Sequence, residues 1–189
     1  MRKWFTRIGV ITAVAIAGVL SRNVEGFNNV VDEDKVEKRF RALAQSEGAP
    51  EIDIVWHHSA TSKDVSYKRL CEITNERFGL GCAYFLSVHA DGSVYMLNDA
   101  DEHTPSVGGR NSKVLSICFV GNFDVEPIPE IMLERAEQIK KAFDKLDADN
   151  NDFKIKGYYF HSDFKNTACP GKYTRVQFRQ RGLVNGTQH

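Results

Sequence analysis

The sequence predicts a mixed α/β (α+β) fold, a central mixed β-sheet flanked by helices. Three observations predict it. EIDIVWHH, 51–58, alternates with period two, putting Ile52, Ile54 and Trp56 on one face and Asp53, Val55 and His57 on the other. AYFLSVHADGSVYML, 83–97, sets two β-rich runs around a turn with Asp91-Gly92 at its tip, the pattern of a hairpin. Further on, Met132, Ala136, Ile139, Phe143 and Leu146 recur at spacings of four, three, four and three, which is one helical stripe.

The elements follow in chain order. MRKWFTR supplies Arg2, Lys3 and Arg7 ahead of an uncharged apolar run, Ile8 to Leu20, so residues 1–21 read as an export signal or a short membrane anchor. Thirteen apolar residues are few for a span that needs roughly 20, and cleavage fits after Ala17 or after Ser21. Residues 22–50 form a polar lead-in with one short amphipathic helix, where Val36, Phe40 and Leu43 lie at i, i+4, i+7 behind acidic first-turn residues. The strand 51–58 comes next. A loosely periodic helix over 65–78 then closes on Gly-Leu-Gly.

The hairpin leads through a loop, 98–112, with Pro105 and Gly108-Gly109, into the apolar strand VLSICFVG. Pro127 and Pro129 open the long helix. DADNND, 147–152, ends it; it imitates the start of a calcium loop but has Asp152 where the central glycine belongs and Tyr158 where the bidentate glutamate belongs. FKIKGYYF is another strand, and TRVQFRQRG a last short helix over the sheet.

The 189-residue chain carries 25 basic and 25 acidic side chains. It is long enough for one well-buried domain. Its balanced charge gives no field that would favour nucleic acid as a partner. Four cysteines in an exported chain allow two disulfides by parity. Cys118 instead reads as a small buried hydrophobe, while Cys71 and Cys82 remain a candidate bridge.

Two strands end on histidine: His57 closes the first, and His161 follows FKIKGYYF, with Cys169 eight residues later in HSDFKNTACPG. If the two strands are neighbours, two imidazoles and one thiol meet at one sheet edge. Such a set suits a tetrahedral zinc ion with one position open for solvent. A different reading of the same residues makes Cys169 a thiolate nucleophile activated by His161, and a strand-end histidine can also be merely hydrogen-bonded. Successive strand residues face opposite ways, so His57 and His58 do not readily share one ion. His89 reads as pointing from the hairpin toward solvent.

IVWHHSAT, the AYFLSVHADGSVY hairpin, RNSKVLSICFVGNF and HSDFKNTACPG, in that order, resemble the type 2 N-acetylmuramoyl-L-alanine amidases, a zinc family that includes phage lysozyme-amidases and peptidoglycan recognition proteins. The resemblance spans Ile52 to Tyr173. It implies a zinc amidase domain over 51–189 with His57, His161 and Cys169 as Zn²⁺ ligands, and peptidoglycan or muropeptides as substrate. It further implies catalytic roles for Tyr84, in the first hairpin strand, and for Thr167, two before the cysteine. His103, Arg110 and Asn111 fall on the loop that borders the groove in relatives, and are candidate substrate contacts. No acidic catalytic partner is matched. The expectation is a monomeric, exported hydrolase, periplasmic or secreted, held near the membrane if residues 1–21 are retained. A peptidoglycan-binding module without turnover, and a cysteine hydrolase, are the alternatives.

Overall fold

The computed structural model describes residues 31–47, 51–99, 102 and 104–185. Five strands form one sheet in the order β3-β2-β4-β1-β5. They are β1 (Glu51–His58), β2 (Leu86–Val88), β3 (Val94–Met96), β4 (Val114–Phe119) and β5 (Lys154–Phe160). β1 pairs in parallel with β4 and β5, β2 in parallel with β4, and β2 with β3 antiparallel. The sheet is therefore mixed, as the sequence predicts, and the two histidine-ended strands are neighbours.

β1 is the central strand in the sense that matters here, because both its faces are covered. Ile52, Ile54 and Trp56 enter the main core; Val55 packs on the opposite face with Val107 and Val114. Trp56 is fully buried, stacks with Tyr158 at 5.8 Å and meets the Phe178 ring edge-on at 5.3 Å. Its indole N–H donates to the Leu183 carbonyl at 2.9 Å, so the bulky ring leaves no unmet donor.

Helix α1 (Glu33–Glu47) belongs to this same core. Phe40 meets Phe143 at 5.3 Å and Phe153 at 4.7 Å, and Val36 and Leu43 are buried beside it. The stripe of helix α3 (Glu130–Asp149) is buried at each of the five positions named from the sequence. At its end, Asn150 Oδ1 accepts the N–H groups of Asp152 and Phe153, and Asp147 Oδ1 accepts that of Ile155. DADNND is thus a capped helix end. Helix α4 (Lys172–Gln180) buries Phe178 over the sheet.

Helix α2 (Tyr67–Phe78) covers the other face, with Leu70 against Cys118 and Val120 and with Tyr84 packed alongside. Ser66 caps it by accepting the Arg69 N–H, and Gly79 ends it in the left-handed conformation. A disulfide joins Cys71 on this helix to Cys82, while Cys118 is a buried free thiol.

The hairpin is shorter than the sequence suggests, and Tyr84 lies just ahead of β2 instead of within it. The reason is local: the carbonyl of Tyr84 is taken by the side-chain amide of Asn98, in place of a ladder partner. His89 also differs from expectation. It is 7% exposed, with its Nε2 3.0 Å from Ser87 Oγ and its ring edge-on to Tyr95 at 5.1 Å. Period-two alternation puts Ser87 and His89 on one face, and the stacking of Tyr67 from α2 on Tyr95, at 4.4 Å, closes the hairpin there. Residues 1–21 lie outside the described residues. Among those described, no helix is long and apolar enough to cross a membrane.

Candidate metal centre

His57 is delivered by β1, whose partner in register on β4 is Cys118. His161 follows directly on β5, which leaves the sheet at Phe160 opposite Trp56. A turn of 3-10 helix, His161–Asp163, then bends the chain, held by the Asp163 carboxylate accepting the Phe160 N–H at 2.8 Å. The N–H of Ser162 donates to the carbonyl of Cys169 at 3.0 Å, which folds the following loop back onto the histidine that precedes it. The Cys169 sulfur is fixed from the other side by the His58 N–H at 3.4 Å. Thr167 Oγ1 accepts the Cys169 N–H at 3.2 Å.

These links bring together the three candidate ligands. One donor atom from each of His57, His161 and Cys169 lies within 4.8 Å of the others. The His57 and His161 rings are 4.6 Å apart, and His57 Nδ1 is 3.6 Å from Cys169 Sγ. Zinc bonds of ~2.3 Å to sulfur and ~2.0–2.1 Å to nitrogen, opened to a tetrahedral angle, put those two atoms about 3.5–3.6 Å apart, so the spacing fits. His57 Nε2 is buried with no hydrogen-bond partner among the described residues. Nδ1, the nitrogen 3.6 Å from the sulfur, is the one this spacing assigns to an ion, so an ion there would leave Nε2 unmet. The three side chains could hold a divalent ion, and two nitrogens with one sulfur favour Zn²⁺ over harder cations.

The electrostatics agree with neutral donors waiting for a cation. Burial holds the His57 imidazole well below the usual histidine range, with His161 and His58 adding to the effect. Burial, then Lys165, lowers His161 as well. Burial pushes the Cys169 thiol up to about 12. A cysteine nucleophile needs the reverse, a lowered thiol beside a charged imidazole, and the burial of both groups opposes it. An ion held by these residues would release the thiol proton on binding.

His58 faces away, as strand alternation requires. Its Nδ1 accepts the Phe123 N–H at 3.2 Å, its Nε2 is 3.9 Å from the Asp124 carboxylate, and burial lowers its pKa. Metal-free protein therefore holds His57, His58 and His161 neutral, whereas the unfolded chain protonates histidine near pH 6.5. Below that value the unfolded state binds more protons. Stability is complete above it and is lost as pH falls toward the depressed native values. Thermal unfolding of chelator-treated protein should show a falling Tm from pH 7 to pH 5. A flat profile would contradict the buried neutral assignment.

Tyr84 stands beside the cluster, its ring 5.2 Å from that of His57 and packed against Cys118. Burial, with Cys118 and Cys169 nearby, raises its pKa well above the usual phenol value, which makes it an O–H donor and unsuited to act as a base. Arg110 stacks over Phe164 at 4.5 Å and pairs with the buried carboxylate of Asp53 at 2.6 Å. Asn111 Oδ1 accepts the Val107 N–H at 2.8 Å. Both residues hold their loop in shape. His103 lies outside the described residues. Asn98 and Cys118, both touching the Tyr84 segment, were not singled out from sequence as site residues; their contacts depend on strand register and on backbone carbonyls, which leave no motif.

The fold and this cluster together define a class: a mixed sheet whose carboxyl edge gathers three metal-competent donors from two neighbouring strands and one loop. The N-acetylmuramoyl-L-alanine amidase family matches residues 49–172, and the chain belongs to that family. Solved structures share the fold. An endolysin N-acetylmuramoyl-L-alanine amidase, LysCS, from Clostridium intestinale URNW aligns with TM-score 0.60 and 20% identity, over 70% of this chain and 84% of that one. The Ph2119 endolysin from Thermus scotoductus MAT2119 bacteriophage Ph2119 aligns with TM-score 0.57 and 23% identity, over 72% and 87%. Drosophila peptidoglycan recognition protein SD aligns with TM-score 0.61 and 17% identity, over 72% and 84%. No curated protein sequence matches the chain.

Proposed function

We propose that the protein is a zinc-dependent N-acetylmuramoyl-L-alanine amidase, hydrolysing the amide between the lactyl group of N-acetylmuramic acid and L-alanine in peptidoglycan. The observation that carries the reading is the convergence of His57, His161 and Cys169 in a chain of this family. These three would hold Zn²⁺, which when bound polarises a carbonyl and brings the pKa of water down to about 7.

The chain's own groups supply the rest. Tyr84, kept protonated, donates a hydrogen bond to the oxygen that gains charge as the scissile carbon becomes tetrahedral. The Thr167 hydroxyl uses a lone pair on the Cys169 N–H and keeps its own proton to donate toward the same oxygen or toward the attacking water. Neither residue abstracts a proton. The loop over 101–112 would border the groove, with His103, Arg110 and Asn111 as the proposed contacts to sugar or stem peptide. Residues 1–21 would direct a monomeric enzyme out of the cytoplasm, where its substrate lies.

Digestion of purified sacculi tests the proposal. New amino termini belonging to L-alanine should appear, stop after chelation, and return when Zn²⁺ is restored. Binding to sacculi without release of amino termini, in zinc-loaded protein, would instead identify a recognition module. Release that persists through chelation but stops with a thiol alkylator would identify the cysteine hydrolase.

A further inference from the structure

The segment that carries Tyr84 has too little regular structure to hold itself. Residues 81–85 precede β2, yet their polar backbone groups are met largely by side chains from elsewhere. The Ala83 N–H donates to Thr74 Oγ1 at 3.2 Å, and the Phe85 N–H to the Ser116 carbonyl at 2.9 Å. The Cys71–Cys82 bridge ties the same stretch to α2. The Leu97 N–H meets the Phe85 carbonyl at 2.9 Å, and ahead of that Asn98 Nδ2 donates to the carbonyl of Cys82 at 2.9 Å and to that of Tyr84 at 2.7 Å.

Both partners are carbonyls and can only accept, so the amide nitrogen of Asn98 must face them. Carbonyls two residues apart on an extended segment point to one side, where a neighbouring strand would ordinarily pair with them. Asn98, just beyond β3, does the work of that strand with a single carboxamide. Its two hydrogen bonds fix the Cys82–Ala83 and Tyr84–Phe85 peptides, which bracket the Tyr84 Cα, and through them the direction in which the phenol leaves the backbone toward His57.

We propose that Asn98 is a positioning residue for the amidase reaction, acting through Tyr84 by clamping the carbonyls of Cys82 and Tyr84. The inference rests on the role given to Tyr84 above. It assigns to Asn98 no contact with substrate or with the metal ligands. A catalytic donor displaced by about 1 Å can cost on the order of 10²-fold in rate, and the loss from a slack clamp cannot exceed the loss from removing the phenolic hydroxyl itself.

The test is a double-mutant cycle on the zinc-loaded, full-length protein, followed by release of L-alanine amino termini from a soluble muropeptide. Asn98→Asp keeps the shape and removes both donors; Asn98→Ser opens the carbonyls to water without placing a charge against them, and serves if the first variant folds poorly. We expect kcat to fall about tenfold or more in either variant, KM to change by less than about threefold, and zinc content to stay at the wild-type level. Tyr84→Phe should fall at least as far. Added to Tyr84→Phe, the Asn98 substitution should cost nothing more, because there is no longer a hydroxyl to aim. Wild-type kcat in the Asn98 variants alongside an impaired Tyr84→Phe would overturn the clamp and leave the role of Tyr84 intact. Multiplicative losses in the double variant would overturn it too, since Asn98 would then act elsewhere. Full activity of Tyr84→Phe would remove the role of Tyr84 and this inference with it.

Discussion

Cys169→Ala is expected to leave a folded protein that retains no zinc and releases no L-alanine amino termini from sacculi. The side chain is a donor more than a packing element. Only the His58 N–H reaches its sulfur; the Cys169 N–H donates to Thr167 Oγ1, and the loop around it keeps the Ser162 to Cys169 and Gly171 to Ala168 backbone bonds without the sulfur. Removing the thiol takes one of three protein ligands, leaving two imidazoles. These bind a divalent ion far more weakly and compete poorly with a chelator. Since a catalytic metal supplies several kcal/mol of charge stabilisation, and 1.36 kcal/mol is a factor of ten, activity should drop by at least about 10³-fold. Metal analysis and thermal unfolding separate this from collapse of the fold: zinc per chain should fall from about one to near zero, while Tm should match that of chelated wild-type protein. Equal activity in a zinc-free Cys169→Ala protein would remove the metal from the mechanism.

How much of this was legible in the sequence depended on the range of the interactions. β1 and α3 announce themselves because periods of two and of about 3.6 are written into consecutive residues; the structure buries the α3 stripe and sends the two residue sets of β1 to separate clusters on opposite faces. The histidine-ended strands were legible for the same reason, with their adjacency left as a condition that the order β4-β1-β5 meets. His89 was misread because its cover comes from Tyr67 and Tyr95, brought together by the packing of α2 on the hairpin. Arg110, a candidate groove contact, also carries a salt bridge to Asp53 57 positions away, a pairing that no local pattern reveals. The same holds for the clamp at Asn98, which bonds to main-chain atoms and so places no demand on residue type at positions 82 and 84. The Cys71–Cys82 bridge was the pairing left once Cys118 and Cys169 had other roles, and the closeness of α2 to the segment before β2 forms it.

Gly171→Ala should be the most damaging methyl that can be added near the site. Gly171 has φ +95°, and a Cβ there would lie 2.5 Å from the Phe123 carbonyl carbon and 2.7 Å from its oxygen. Both are backbone atoms of the turn after β4, where the Phe123 carbonyl accepts the Tyr173 N–H and the Asp124 carboxylate accepts the Lys172 N–H. Neither side can yield without breaking the seat of α4. Backbone strain of about 1–3 kcal/mol and overpacking of a similar size suggest a loss of roughly 2–5 kcal/mol, or about 5–15 °C in Tm for a domain of this size. Gly79→Ala is the matched control, with φ +69° and nothing within 4 Å of the added Cβ, so it should show the strain alone, about 1 kcal/mol. The larger loss at Gly171 should carry a second signature absent from the control. Relief of the clash pushes the loop away from β4, and Cys169 lies two residues upstream on that loop. Zinc should therefore be stripped by a weaker chelator in Gly171→Ala than in wild type, with Gly79→Ala unchanged. A Gly171→Ala protein as stable and as tightly metallated as the control would mean that the Pro-Gly step is a tolerant turn, and that Cys169 is held in place by its own hydrogen bonds alone.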